Sequence, residues 1–187
     1  VVHPTKAGLK IPQIFDAAIN KEVKAVWIIG EDVVQTDPNS AHVAKAMNAL
    51  DLLVVQEIFL SETAKHADVV LPGTTFLEKD GTFTNTERRV QRVNRAAEPL
   101  PGTKPDGVIV TDMMQKLGYD QKTYDADEVL AEIADVVPFF KGITRERLGK
   151  LGLQWPVKED GTDTKILHQK EFKLGKGRIK YFDWKES

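Results

Sequence analysis

The sequence predicts an α/β fold: a Rossmann-like parallel sheet with helices on both faces, plus an inserted β-hairpin segment. Three observations carry this reading. Short apolar runs alternate with stretches of helical periodicity, which is the signature of a parallel sheet wound with helices. The runs themselves are nearly all apolar, as expected of strands covered on both faces. Between Phe76 and Lys104 the alternation breaks, and Asp80-Gly81 turn chemistry separates two β-type stretches.

The first helix starts at Ile11-Pro12, with Pro12 tolerated in the first turn, and Ile11, Ile14, Phe15, Ala18 and Ile19 form its apolar stripe. Val23 to Ile29 reads as the first strand, and Gly30 to Asn39 as a turn-rich loop. Ser40 to Leu50 is the next helix, and Leu52 to Gln56 the second strand. Ser61 caps a short helix reaching His66. Asp68 to Leu71 is the third strand, stopped by Pro72-Gly73.

After the interruption, Pro105 begins a longer helix with Val110, Met113, Met114 and Leu117 on one face and Gly118 at its end. Asp125 caps another, with Val129, Ile133, Val136 and Val137 turned inward. Thr144 to Leu151 makes one more short helix. Two strand-like pieces, Ile166-Leu167 and Arg178 to Phe182, lie in the tail. The expected organisation is therefore residues 1–75 as the first part of an α/β domain, 76–104 as an inserted hairpin, 105–164 as the second part, and 165–187 as a linker opening another module.

Composition excludes several classes of function. The 187 residues are 41% hydrophobic, too many for a disordered chain and enough to bury a core. With 26 basic and 28 acidic residues the net charge is −2, which argues against wholesale binding to nucleic acid. The tail from Lys165 carries seven basic and three acidic residues, and the hairpin segment six and four. No apolar run approaches the ~20 residues of a membrane span, and the first residues do not read as a signal peptide.

Cysteine is absent, so this chain can offer no thiolate nucleophile, no cysteine metal site and no cysteine-held iron–sulfur cluster. Its four histidines are scattered without metal-ligand spacing. No catalytic residue and no metal ligand is expected here.

Ligands of a parallel sheet sit beyond the carboxyl ends of the strands. Gly30, Asp32 and Thr36 follow the first strand, Gln56 ends the second, and Gly73 follows the third. Gly30 allows close backbone approach, and the Asp32 carboxylate can accept a ribose diol or two base N–H groups. Gln56 can both donate and accept. Each residue has an ordinary reading as a loop or capping group, and the convergence of three loops is what favours a nucleotide-like ligand. Asp106 lies in the first turn of its helix, where a carboxylate also complements the helix dipole. Arg88, Arg89, Arg92 and Arg95 are open to a solvated strand face, an anionic cofactor or a partner domain.

Taken together, Gly30 to Asp37, Leu52 to Ala64, Ala67 to Gly73 and Glu78 to Gln91 resemble the molybdopterin oxidoreductase (dimethyl sulfoxide reductase) superfamily. With Gly118-Tyr119 and Gln154-Trp155-Pro156, the chain is most similar to a fragment of the alpha, catalytic subunit of formate dehydrogenase. The resemblance runs from Gly8 to Trp184. Nitrate reductases and the iron–sulfur subunit of NADH dehydrogenase share the Glu87 to Gln91 region, and a stand-alone nucleotide- or pterin-binding module remains the alternative class.

The resemblance implies a parent enzyme that oxidises formate to CO2 with molybdenum or tungsten on molybdopterin guanine dinucleotide and a 4Fe–4S cluster. The metal and cluster ligands would lie in segments outside this sequence, so the isolated chain is expected to be inactive. Its partners would be the remaining domains of the same polypeptide and electron-transfer subunits, in the cytoplasm. Gly30, Asp32 and Thr36 would hold the nucleoside end of one dinucleotide, Gln56 and Gly73 would add contacts, and Asp106 would face the guanine. The hairpin at 76–104 would join the iron–sulfur domain and be the least supported part of this chain.

Overall fold

A computed structural model describes residues 5–172 and 175. These form two compact units: residues up to 80 with 93–125, and residues 81–92 with those from 126 onward. The first unit holds helices α1 (Ile11–Ile19), α2 (Val33–Thr36), α3 (Ser40–Ala49) and α4 (Asp106–Lys116), and strands β1 (Ala25–Ile29), β2 (Leu52–Glu57) and β3 (Val69–Pro72). The second holds β4 (Gly81–Thr84), most of β5 (Arg89–Val93), α5 (Ala126–Val136), α6 (Arg145–Leu148) and β6 (Leu153–Gln154).

The three strands of the first unit are parallel and lie in sequence order. Ile29 pairs with Gln56, and Glu57 with Pro72, so the strands end together. Alternation along β2 sends Leu53 and Val55 to the face covered by α1 and α3. There they pack with Phe15, Ala18, Ile28, Val43, Ala46 and Met47. Pro12 opens α1 and Gln13 Oε1 accepts the Lys10 N–H at 2.9 Å, so the first turn is satisfied locally. In α3 the Asn39 side chain caps the helix by accepting the His42 N–H.

The expectation that the β2 run is covered on both faces is corrected in part. Leu53 and Val55 are fully buried, but Leu52 on the other face remains 41% exposed, and Val69 beside Val54 is 43% exposed. The core cluster of this unit gathers on the side of α1 and α3, so hydrophobicity alone overstated the second cover. The loop from Gly30 also contains α2, whose single turn closes on Asp32.

In the second unit β4, β5 and β6 form an antiparallel sheet, with Val90 opposite Leu153. Val90, Leu130, Ile143, Leu148 and Val157 make its core, with Phe140 and Trp155 packed against them. Strand β6 has no counterpart among the expected elements, because two residues are too few to show a period. The hairpin is better supported than expected: Val90 is 1% exposed, and the Arg88 guanidinium donates to the carbonyls of Thr164 and Lys165 at 3.0 and 3.2 Å. Residues 126–164 supply that support, so the segment expected as the second part of the α/β layer divides at 125. Ile166-Leu167, expected as a strand, lies in a bend and turn, and the Arg178 to Phe182 piece lies outside the described residues. Among the described residues, no helix is long and apolar enough to cross a membrane.

Candidate functional site

The parallel register brings three strand ends to one edge of the first unit. Gly30 leaves β1 with φ +63°, a left-handed conformation that glycine adopts without strain, and its N–H donates to the Gln56 carbonyl at 2.9 Å. Gly73 leaves β3 and bridges Lys104 in parallel, which sets the start of α4 beside the end of β3. Asp106 is the first residue of that helix.

Asp106 is the hub of the edge. Gln56 Nε2 donates to its Oδ1 at 2.7 Å, and the Lys79 ammonium donates to its Oδ2. Lys79 Nζ also reaches the Thr74 carbonyl at 3.3 Å. A Cβ on Gly73 would lie 3.1 Å from Asp106 Oδ1, tighter than ordinary contact, so the absence of a side chain there admits the carboxylate. Burial of the Asp106 carboxyl works against ionisation. Hydrogen bonds from Lys79 and Gln56, with the charge of Lys79, outweigh it and hold the group below the usual aspartate value.

Two polar atoms at this edge are left over. Gln56 Oε1 and Thr74 Oγ1 are buried without a hydrogen-bond partner among the described residues, on side chains 1% and 2% exposed. An unsatisfied buried acceptor costs about 1–3 kcal/mol. Because an ionised Asp106 can only accept, Gln56 must turn its amide nitrogen toward it, which leaves the amide oxygen as the orphan.

The β1 loop is arranged differently from expectation. Asp32 Oδ1 accepts the Thr63 N–H at 2.9 Å and the Thr63 hydroxyl at 2.6 Å, and Oδ2 accepts the Glu62 N–H at 3.3 Å. The Thr63 hydroxyl bond is the main reason the Asp32 carboxyl titrates below its ordinary value. The carboxylate thus ties α2 to the turn at 62–66. Thr36 Oγ1 donates to Glu31 at 2.6 Å on the exposed side of the same loop. Replacing Asp32 by Ala should destabilise the first unit by about 1–3 kcal/mol, since Thr63 is fully buried and loses the acceptor for two donors. Urea denaturation measures this. Unchanged stability would mean that the carboxylate is free to serve a ligand instead.

The structure therefore gathers Gln56, Gly73 and Asp106 into one cluster, with Gly30 joined to it through the Gln56 backbone. Asp32 and Thr36 are engaged with their own loop and the turn beside it. Lys79 and Thr74 are the site residues that sequence reasoning did not single out. The signals were that Thr74 follows Gly73 at the end of the third strand and that Lys79 lies in the Glu78 to Gln91 stretch of the resemblance. A cleft of about 470 Å3 in the second unit, lined by Leu130, Ile143, Asp135 and Lys141 among others, includes none of these residues. No group of three or more His, Asp or Glu side chains among the described residues could hold a metal ion.

Chemically the Asp106 edge is an acceptor array. A carboxylate offers about four lone-pair directions and here uses one per oxygen for Gln56 and Lys79, while the Gln56 amide oxygen lies buried and unpaired. Such a group fits a neutral ligand edge with two adjacent N–H donors.

The family model described as molybdopterin oxidoreductase matches residues 3–116. The F420-dependent formate dehydrogenase subunit alpha of Methanocaldococcus jannaschii is 46% identical over 179 residues, covering 94% of this chain and 26% of that protein. The F420-dependent formate dehydrogenase 2 subunit alpha of Methanococcus maripaludis is 45% identical over 177 residues, covering 93% and 26%. A putative formate dehydrogenase of Staphylococcus haemolyticus is 44% identical over 182 residues, covering 97% and 18%. The chain spans about a quarter of these relatives' length, or less. Acetylene hydratase from Pelobacter acetylenicus shares the fold with a TM-score of 0.57 at 22% identity, over 71% of this chain and 19% of that one.

Proposed function

Because the chain belongs to the molybdopterin oxidoreductase family, we propose that it is the part of a formate dehydrogenase alpha subunit that holds the nucleoside end of a molybdopterin guanine dinucleotide. The observation that carries this is the Asp106 carboxylate beside Gly73, together with the buried, unpaired Gln56 Oε1. Guanine presents N1–H and a 2-amino group to such an array, and adenine lacks that pair. By the usual scale of base readout the preference is worth ~1–3 kcal/mol.

Gly30 would bring backbone close to the ligand, and Asp32 and Thr36 would act by shaping that loop. Bound in the whole enzyme, the cofactor would supply molybdenum or tungsten for the oxidation of formate to CO2, with a 4Fe–4S cluster and electron-transfer subunits receiving the electrons. The share of this chain's residues is to bind and orient, as is usual for protein around a cofactor. The remaining domains of the longer polypeptide would be its immediate partners, and residues 76–104 would face the iron–sulfur domain.

Titration of the chain with GDP and ADP tests the reading. Amide shifts of Gly30, Gln56 and Gly73 should report weak binding, since immobilising loops and ligand costs free energy. GDP should bind about 5–150-fold more tightly than ADP, the range implied by base-readout energies of ~1–3 kcal/mol. Equal affinities, or amides that never move, would overturn it.

A further inference from the structure

The Asp106 carboxylate does not stand alone at the edge. The Lys79 ammonium donates both to Asp106 Oδ2 and to the Thr74 carbonyl, with the Lys79 side chain 23% and the Asp106 side chain 41% exposed. The other charges around the cluster are committed elsewhere. Glu57 Oε1 accepts the Ile58 N–H, Glu78 accepts from Thr75 and Leu100, Asp80 accepts the Arg95 N–H, and Lys104 pairs with Asp112 at 2.7 Å. Lys79 is therefore the cation that offsets the Asp106 charge at the array itself.

Without Lys79 the same site would be a carboxylate with no opposing charge, bonded by the Gln56 amide alone. That arrangement suits a planar guanidinium at least as well as a neutral base edge. We propose that Lys79 is a positioning residue that sets the ligand class of the Asp106 site, making it accept a neutral pair of N–H donors and turn away cations. The inference rests on the nucleotide reading above and assigns to Lys79 the part of selectivity that Asp106 cannot provide. Lys79 also keeps the carboxylate ionised against the burial that opposes it, which agrees with the direction of the Asp106 shift.

The test uses the full chain, its Lys79→Met and Lys79→Gln variants, and carbon-detected NMR titration of the Asp106 carboxyl. GDP and agmatine, a small guanidinium compound, serve as probes. The wild-type Asp106 midpoint should lie below the ordinary aspartate value and rise in both variants, because glutamine restores a donor but not a charge. Relative to GDP, agmatine should gain about tenfold in affinity when the opposing charge is removed, a change of 1.4 kcal/mol.

A Lys79→Gln chain that titrates and binds like the wild type would overturn the proposal. So would a wild-type Asp106 midpoint at or above the ordinary value, or a wild-type chain that binds agmatine as tightly as GDP; both are read without any variant. Should the wild type bind neither probe, the nucleotide reading fails, while the Asp106 midpoints still decide whether Lys79 governs the carboxylate.

Discussion

Replacing Leu53 by alanine should lower the stability of the first unit by about 2–5 kcal/mol, the range for truncating a fully buried leucine. Leu53 is 1% exposed and belongs to the cluster that Ile28, Val43 and Met47 share with α1 and α3. The loss combines the transfer of its side chain from water with the cavity left behind. Its neighbours Ala18, Val43, Ala46 and Val55 are themselves fully buried and short, so they cannot reach across to fill the space. Urea denaturation followed by amide exchange along β1 and β2 measures the effect. A loss under about 1 kcal/mol would show that the cluster collapses around the truncation, and that β2 is not the organising strand of this unit.

Replacing Asp106 by asparagine should remove any preference for GDP over ADP, a loss of ~1–3 kcal/mol of discrimination. The substitution keeps the shape of the side chain but turns one acceptor into a donor facing a guanine donor. It also takes away the carboxylate that Gln56 Nε2 and Lys79 both donate to, so Gln56 becomes free to turn its amide. Binding of both nucleotides can weaken, but the diagnostic quantity is their ratio. A GDP preference that survives in Asp106→Asn, at the wild-type ratio, would place base recognition elsewhere on the edge.

How much of this was legible in the sequence differs by level. Val26, Ile28, Leu53 and Val55 announce buried strands because a strand needs only a short apolar run between turn residues. Pro12, Asn39 and Pro105 mark helix starts by local chemistry, and the observed helices begin within a residue or two of them. The placement of Gln56 and Gly73 at one edge followed from their strand ends, since parallel strands connected by helices must end on the same side, whereas Asp106 was tied to that edge only by the resemblance. Strand β6 was not legible, because two residues earn their strand only by pairing with Arg89 and Val90, more than sixty positions away.

The sequence by itself therefore determined the α/β class, the parallel sense of the sheet, the edge on which a ligand site can form, and the family. These depend on apolar periodicity, turn residues and motif order, all of which are local. Only the tertiary structure decided what each charged side chain at that edge does. Asp32 and Asp106 look alike as carboxylates just after strand-end loops, but Asp32 is consumed by Thr63, 31 residues on. Asp106 is shared between Gln56 and Lys79, 50 and 27 residues before it. A carboxylate's partners are chosen by which donors packing brings within about 3 Å, and that distance is set by how strands, turns and helix ends meet in space.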